Sequence, residues 1–306
     1  MALIIAHRGA SGYRPEHSRS AYRLALTLGA DALEPDVVLS RDGVPVLRHE
    51  SNLLHSTNVA DRVEFASRRR TSVIDGVQQE GFFSEDFDWS ELAGLRCREP
   101  RPKLRPDSAL FNDREPVMRL GELLELVAAH PGEPRQLVIE LKQFGYFAAA
   151  GLDLVTAVLG ELDAYGWRPD DERITWESFE GEALAALPEG CRRVLLLEDT
   201  GSALNLVVVT PWDGVSVEVS QLLRETDLAK RVHANGKLLF AWTARPENAF
   251  LPKEFRSGGG KSAWGNWRGY LERLLATGVD GLFLDQPDLG VAARETGPGR
   301  LALGRD

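Results

Sequence analysis

Short, unbroken runs of Val, Ile and Leu recur along this chain with helix-patterned stretches between them, and that alternation narrows the fold more than any other feature. The runs are Leu3–Ala6, Ala32–Val38, Pro45–Arg48, Gln136–Leu141, Arg173–Trp176, Arg193–Leu197, Gly214–Glu218, Leu238–Trp242 and Gly281–Asp285. Continuous apolar runs suit parallel strands covered on both faces. Helical patterns lie between many of them, at Ser18–Leu28, Leu120–Ala129, Leu152–Tyr165, Phe179–Ala186, Thr226–Ala234 and Trp267–Ala276. Alternation over 306 residues with no second pattern predicts an α/β fold, a (β/α)8 TIM barrel forming one domain over 1–306. Nine runs are one too many for eight strands. Only the turn signal Arg41-Asp42-Gly43 and a few neighbours separate Val38 from Val44, too little for a parallel crossover. One of these two segments is therefore expected to be irregular or antiparallel.

Residues 51–115 break the alternation with Arg68-Arg69-Arg70, an aromatic–acidic stretch from Gly81 to Trp89, and a Pro/Arg-rich piece from Glu99 to Pro106. They read as a long insertion after His49, above one βα position, where long loops act as lids or substrate walls. The arginine triplet reads as solvated surface. Ser257-Gly258-Gly259-Gly260-Lys261-Ser262 lacks the spacing of a phosphate-binding P-loop and reads as a mobile loop.

Chemistry gathers at the ends of the runs. His7 ends Leu3–Ala6 and is followed by Arg8; His49 ends Val44–Leu47; Glu34 and Asp36 stand two apart. On an extended strand residues two apart share a face, so both carboxylates project into one space. Glu140, with Lys142 two residues on, stands in a further apolar run. Carboxylates crowded in a barrel mouth repel one another and are costly to desolvate, and a divalent cation removes that cost. Hard oxygen ligands suit Mg²⁺ or Ca²⁺ rather than zinc. Glu140 and Lys142 also suit a plain ion pair. Two imidazoles with near-neutral reference pKa can give and take protons, and Arg8 and Lys142 supply positive charge for a phosphate.

Bulk properties narrow the partners. A net charge of −10 argues against a nucleic-acid surface and requires any phosphate site to be locally positive. No apolar run is long enough to span a membrane, so no integral membrane segment is expected. The start lacks the basic and apolar regions of a signal peptide, which predicts a cytoplasmic protein or one that has already lost a leader. Cys97 and Cys191 are far apart with no CxxC spacing, which predicts neither a disulfide nor a zinc site.

The run His7-Arg8-Gly9-Ala10-Ser11-Gly12-Tyr13-Arg14-Pro15-Glu16-His17-Ser18 resembles the opening motif of the glycerophosphodiester phosphodiesterases. Gly29–Val37, Asp42–Val46 leading to His49, Ile139-Glu140-Leu141-Lys142, and Gly278–Gly281 leading to Asp285-Gln286-Pro287-Asp288 resemble their later motifs in order. The resemblance covers nearly the whole chain. It implies a TIM barrel that hydrolyses a small-molecule glycerophosphodiester to an alcohol and sn-glycerol 3-phosphate with a divalent metal. By position it implies Glu34, Asp36 and Glu140 as metal ligands, His7 and His49 as the acid–base pair, and Arg8 and Lys142 as phosphate contacts. Trp242, in Leu239–Thr243, matches a pocket-lining tryptophan and equally suits a core aromatic. The chain departs from the family pattern with His17 for an asparagine, Glu50 for an aspartate and Leu284 for a threonine. His17 and the insertion resemble the larger, often exported branch, so a secreted mature form also fits.

Competing readings leave different marks. A glycosidase would use two carboxylates at a barrel mouth but give the histidines and cations no work, and would survive chelation. A non-catalytic binder of phosphorylated metabolites would show affinity without turnover. A lyase-type phosphodiesterase would stop at a cyclic phosphate.

Overall fold

The computed structural model describes residues 1–131, 135–198 and 210–296. Its strands are β1 (Leu3–His7), β2 (Ala32–Glu34), β3 (Asp36–Leu39), β4 (Pro45–Leu47), β5 (Arg70–Ile74), β6 (Val77–Gly81), β7 (Gln136–Leu141), β8 (Ile174–Ser178), β9 (Arg192–Leu197), β10 (Gly214–Glu218), β11 (Leu238–Ala244) and β12 (Gly281–Leu284). Parallel pairing runs β2-β1-β12-β11-β10-β9-β8-β7 and closes through β2–β7. Eight staves form the barrel, with β2 and β3 as two halves of one stave that both pair with β7. Pro35 divides them, because proline has no N–H to give the ladder; its carbonyl still accepts from Glu140 N at 3.0 Å.

The surplus ninth run is β4, which pairs antiparallel with β3 through Val37↔Leu47, Val38↔Val46 and Leu39↔Pro45. Helices follow the predicted patterns with trimmed ends, as in Arg19–Thr27, Leu120–Ala128, Leu154–Ala164 and Trp267–Leu275. Inside the barrel, Ile5, Ala32, Val138, Val194, Phe240 and Phe283 pack as one layer. Larger apolar clusters lie between strands and helices, which is why the strands are apolar on both faces. Both cysteines are buried and free. Among the described residues no helix is long and apolar enough to cross a membrane.

The insertion has structure of its own. β5 and β6 form a hairpin whose turn residues, Asp75 and Gly76, both have positive φ (51° and 75°), as a two-residue type I′ turn requires. The arginine triplet is spent inside the insertion: Arg68 pairs with Glu91, Arg69 with Glu80, and Arg70 with Glu85 and Asp86.

Two glycines near the first motif differ in what they tolerate. Gly29 closes the helix Arg19–Thr27 with φ 83°, donating to Leu26 O while Ala30 N reaches Ala25 O, a Schellman end, and nothing lies where a Cβ would go. Gly9 also has positive φ (81°), but its Cβ would meet the Ala21 carbonyl carbon at 2.7 Å and Tyr22 N at 2.9 Å, all backbone. Gly29→Ala should therefore cost about 1 kcal/mol from φ alone. Gly9→Ala should cost roughly 2–4 kcal/mol from φ and overpacking together. Urea midpoints for the two variants test this, and equal losses would refute the steric account.

Candidate active site

Glu34 ends β2, Asp36 opens β3 and Glu140 stands in β7, where the sheet register sets Asp36 beside Glu140. Each offers an oxygen, and the three oxygens lie within 4.8 Å of one another. All three side chains are buried, Asp36 completely. Lys142 Nζ lies 2.6 Å from Glu140 and 3.1 Å from Asp36, and Arg8 Nε lies 3.0 Å from Asp36. Burial and the neighbouring Asp36 and Glu140 carboxylates push Glu34 well above the usual carboxylate range. Burial carries Glu140 up to about 8, with Lys142 opposing and Asp36 adding. Burial acts upward on Asp36 too, but Lys142, Arg8 and the hydrogen bond from His17 outweigh it and hold it well below the usual range. Asp36 Oδ1 and Glu140 Oε1 both face the Lys142 ammonium, and Glu177 Oε1 is buried without a hydrogen bond. The three crowded carboxylates Glu34, Asp36 and Glu140, with pKa values driven apart, fit a hard divalent cation.

His17 supports Asp36 from behind. It is fully buried, with Nε2 at 3.0 Å from Asp36 Oδ2 and Nδ1 at 2.8 Å from the Tyr22 hydroxyl. Because Asp36 is held ionised, Nε2 carries the proton and Nδ1 accepts from Tyr22.

His7 ends β1 with Nδ1 2.6 Å from Asp285 Oδ1, just past the end of β12. Burial acts upward on Asp285, but Arg245, Arg105 and His7 hold it well below the usual range. An ionised Asp285 places the ring proton on Nδ1 and leaves the lone pair on Nε2. Burial, with Arg8 adding and Asp285 opposing, lowers His7 to about 4. Arg8, with φ 58°, is pinned by its own N–H to Glu34 Oε2 at 2.7 Å and by Nη1 to Glu16 at 3.0 Å. His49 follows β4 on the rim with about a third of its side chain exposed and Nδ1 3.3 Å from Glu50. Burial of its ring in the mouth, with Arg8 and Lys142 adding and Asp36 opposing, holds it well below its usual range.

A cavity of about 530 Å³ opens here, lined by His49, Glu140, Lys142, Gln143, Phe179 and Glu180 among others. Trp242, near the end of β11, packs edge-on against Phe179 with ring centroids 5.6 Å apart. Every residue singled out from the sequence thus lies at the C-terminal end of the barrel, where such folds keep their chemistry. Another cavity, of about 600 Å³, lined by Asp170, Arg193, Trp212 and Leu238 among others, lies at the opposite end and gathers none of them.

Sequence reasoning missed the support behind these groups. Asp285 was read as the end of an apolar run and part of a motif, but without a role beside His7. Arg105, Arg245 and Glu247 carried no signal, because their partners are far away in the chain. Glu177, buried beside Glu140 and pushed well above the carboxylate range by burial and by Glu140, stands in β8, one residue past the Arg173–Trp176 run read as a strand.

The profile of the "Glycerophosphoryl diester phosphodiesterase family" matches residues 7–289. The chain is 29% identical to the glycerophosphodiester phosphodiesterase GDPD6 of Arabidopsis thaliana over 92% of its own length and 82% of that protein. Its fold is similar to that of a Silicibacter pomeroyi protein assigned to the glycerophosphoryl diester phosphodiesterases (TM-score 0.74, 22% identity, 96% of this chain and 92% of that one). It is also similar to an Oleispira antarctica phosphodiesterase solved with the product sn-glycerol-3-phosphate (TM-score 0.67, 21% identity, 95% and 96%). The barrel and a match from the first histidine to beyond Asp285 lead to one conclusion: the chain belongs to the glycerophosphoryl diester phosphodiesterase family of enzymes.

Proposed function

We propose that the mouth hydrolyses glycerophosphodiesters to an alcohol and sn-glycerol 3-phosphate in a metal-dependent, two-histidine reaction. The observation that carries this reading is the convergence of Glu34, Asp36 and Glu140 within 4.8 Å, with Arg8 and Lys142 against them. The product named for the Oleispira structure supports the substrate class. Glu34, Asp36 and Glu140 would hold Mg²⁺ or Ca²⁺, which supplies Lewis acidity toward phosphoryl oxygens and lowers the pKa of a neighbouring hydroxyl. Lys142 would face the phosphate with its ammonium, and Arg8 would present its fork for bidentate contact.

His7 acts as base through Nε2, taking the proton of the attacking hydroxyl, either the glycerol 2-OH or a water. His49, on the rim beside the cavity, protonates the leaving alkoxide. If the 2-OH attacks, a cyclic phosphate forms, and the same histidines exchange roles to open it with water. Trp242 and Phe179 form an aromatic wall beside Lys142.

Two outcomes follow. His7→Ala and His49→Ala should each lower kcat by about 10²- to 10⁴-fold. Chelation should abolish turnover, and added Mg²⁺ or Ca²⁺ should restore it, with sn-glycerol 3-phosphate release as the measurement. Unchanged rates in both variants would refute the acid–base roles, and cyclic phosphate as the end product would convert the reading to a lyase.

The neutral imidazole also bears on stability. With a folded value of about 4 against 6.5 unfolded, His7 contributes stability that is fully present above pH 6.5. That stability is lost as pH falls toward 4, because the unfolded chain then binds a proton the folded chain refuses. Urea unfolding between pH 7 and 4.5 should show His7→Ala losing less with acidification, by up to about 1.4 kcal/mol per pH unit. Parallel curves would sink the assignment.

A further inference from the structure

We propose that Arg105, carried into the mouth by the 51–115 insertion, is a positioning residue for His7, holding Asp285 so that one of its oxygens is kept for the imidazole. The proposal rests on the reading of His7 as the base.

The geometry leaves Arg105 little other work. Asp285 Oδ1 faces His7 Nδ1 at 2.6 Å, while Oδ2 accepts from Arg105 Nη2 at 2.6 Å and from Arg245 Nε at 2.5 Å. Arg105 Nε donates to Glu247 at 2.8 Å, and Nη1 donates to the Ser11 carbonyl at 3.3 Å. Its side chain is 6% exposed. A guanidinium engaged on all three nitrogens by the protein has no fork to offer a phosphate, unlike Arg8 at the carboxylates. Its grip reaches His7 from two directions. One is the Asp285 carboxylate at the ring, and the other is Ser11, whose hydroxyl donates to the His7 carbonyl at 2.7 Å.

The chemistry requires that grip. A carboxylate turns readily about its last torsion, and a turn would exchange Oδ1 for Oδ2 or point both away from the ring. Two guanidinium donors converging on Oδ2 remove that freedom. Asp285 then holds the ring proton on Nδ1 and keeps the Nε2 lone pair for a substrate hydroxyl, the arrangement a neutral imidazole base needs. Arg245 alone leaves Oδ2 with a lone pair to spare and the carboxylate free to swing. Arg105 is itself placed locally, since it precedes Pro106 at the start of the short helix Pro106–Ala109, and Glu115 ties the end of the insertion to Ser20 N at 2.8 Å. The insertion is therefore part of the catalytic apparatus as well as a wall beside it.

Two readouts decide the matter, one of which needs no turnover. With histidine labelled in ¹⁵N, the His7 ring signals are those absent from His7→Ala. They should report one tautomer, protonated at Nδ1, in the wild-type chain. In Arg105→Ala they should move toward an average of the two tautomers, with Arg105→Lys in between. An unchanged tautomer in both variants overturns the proposal. In the assay, Arg105→Ala should lower kcat by roughly 10²-fold with KM held within about threefold, since a misplaced catalytic group costs turnover rather than binding. In a His7→Ala background the same substitution should change kcat by no more than about threefold, because the two act as one unit. A full additive loss, or a rise in KM with kcat intact, overturns the proposal in favour of a fold-wide or phosphate-binding role. Circular dichroism checks that each variant folds; if Arg105→Ala does not, Arg105→Lys carries both readouts. Should the wild-type enzyme release no sn-glycerol 3-phosphate, the proposed function falls, and the tautomer measurement still decides whether Arg105 positions His7.

Discussion

Asp36 is the point on which the mouth balances. Its carboxylate is wholly buried, yet it meets Lys142 through one oxygen and both Arg8 and His17 through the other. A buried carboxylate without such partners costs several kcal/mol, and here Glu34 and Glu140 stand within reach as well. The cost is met by register. Parallel pairing of β3 with β7 sets Asp36 beside Glu140 and Val37 beside Leu141. A slip of one residue would turn every one of these side chains to the other face. Sheet pairing and site geometry are one constraint, so the site forms when the barrel closes.

How much of this a reader of the sequence could see depends on the range of the interaction. Strand ends are local, and His7, Glu34, Asp36, His49 and Glu140 were visible because each ends or interrupts an apolar run. The surplus run was visible as a contradiction and resolved by β4 lying antiparallel on β3, an arrangement that five intervening residues allow. The β5–β6 hairpin hid because Gln78, Gln79 and Glu80 give its second strand almost no apolar signal, although Asp75-Gly76 marks its turn. The pairing of His7 with Asp285 could not be read locally. The two are 278 positions apart and meet only because β1 and β12 are neighbours in the closed barrel.

The arginines of the insertion show the same limit from the other side. Arg68, Arg69 and Arg70 are the conspicuous basic cluster, and each is paired with an acid of the insertion itself. Arg105, one arginine in a Pro/Arg-rich stretch without periodicity, reaches Glu247 and Asp285, 142 and 180 residues further on. Composition counts charges but not partners, and function follows the partners. Among the described basic side chains of the insertion only Arg105 is buried, and its position in the sequence gave no clue to that.

A net charge of −10 does not by itself rule out the proposed anion site. Charges on the outer surface are screened over about 8–10 Å at physiological salt, so a phosphate, on the proposed function, would meet the local field of the mouth. Arg8 and Lys142 serve that field twice. Against Asp36, Glu16 and Glu140 they compensate buried carboxylates. On the proposed function, a cation facing the carboxylates would leave the same two side chains available to a phosphate. A mouth built only of ligands would be too costly to bury, and one built only of cations would have nothing to hold a metal. Interleaving the two, residue by residue along β1, β2, β3 and β7, is what the short apolar strands with charged ends make possible.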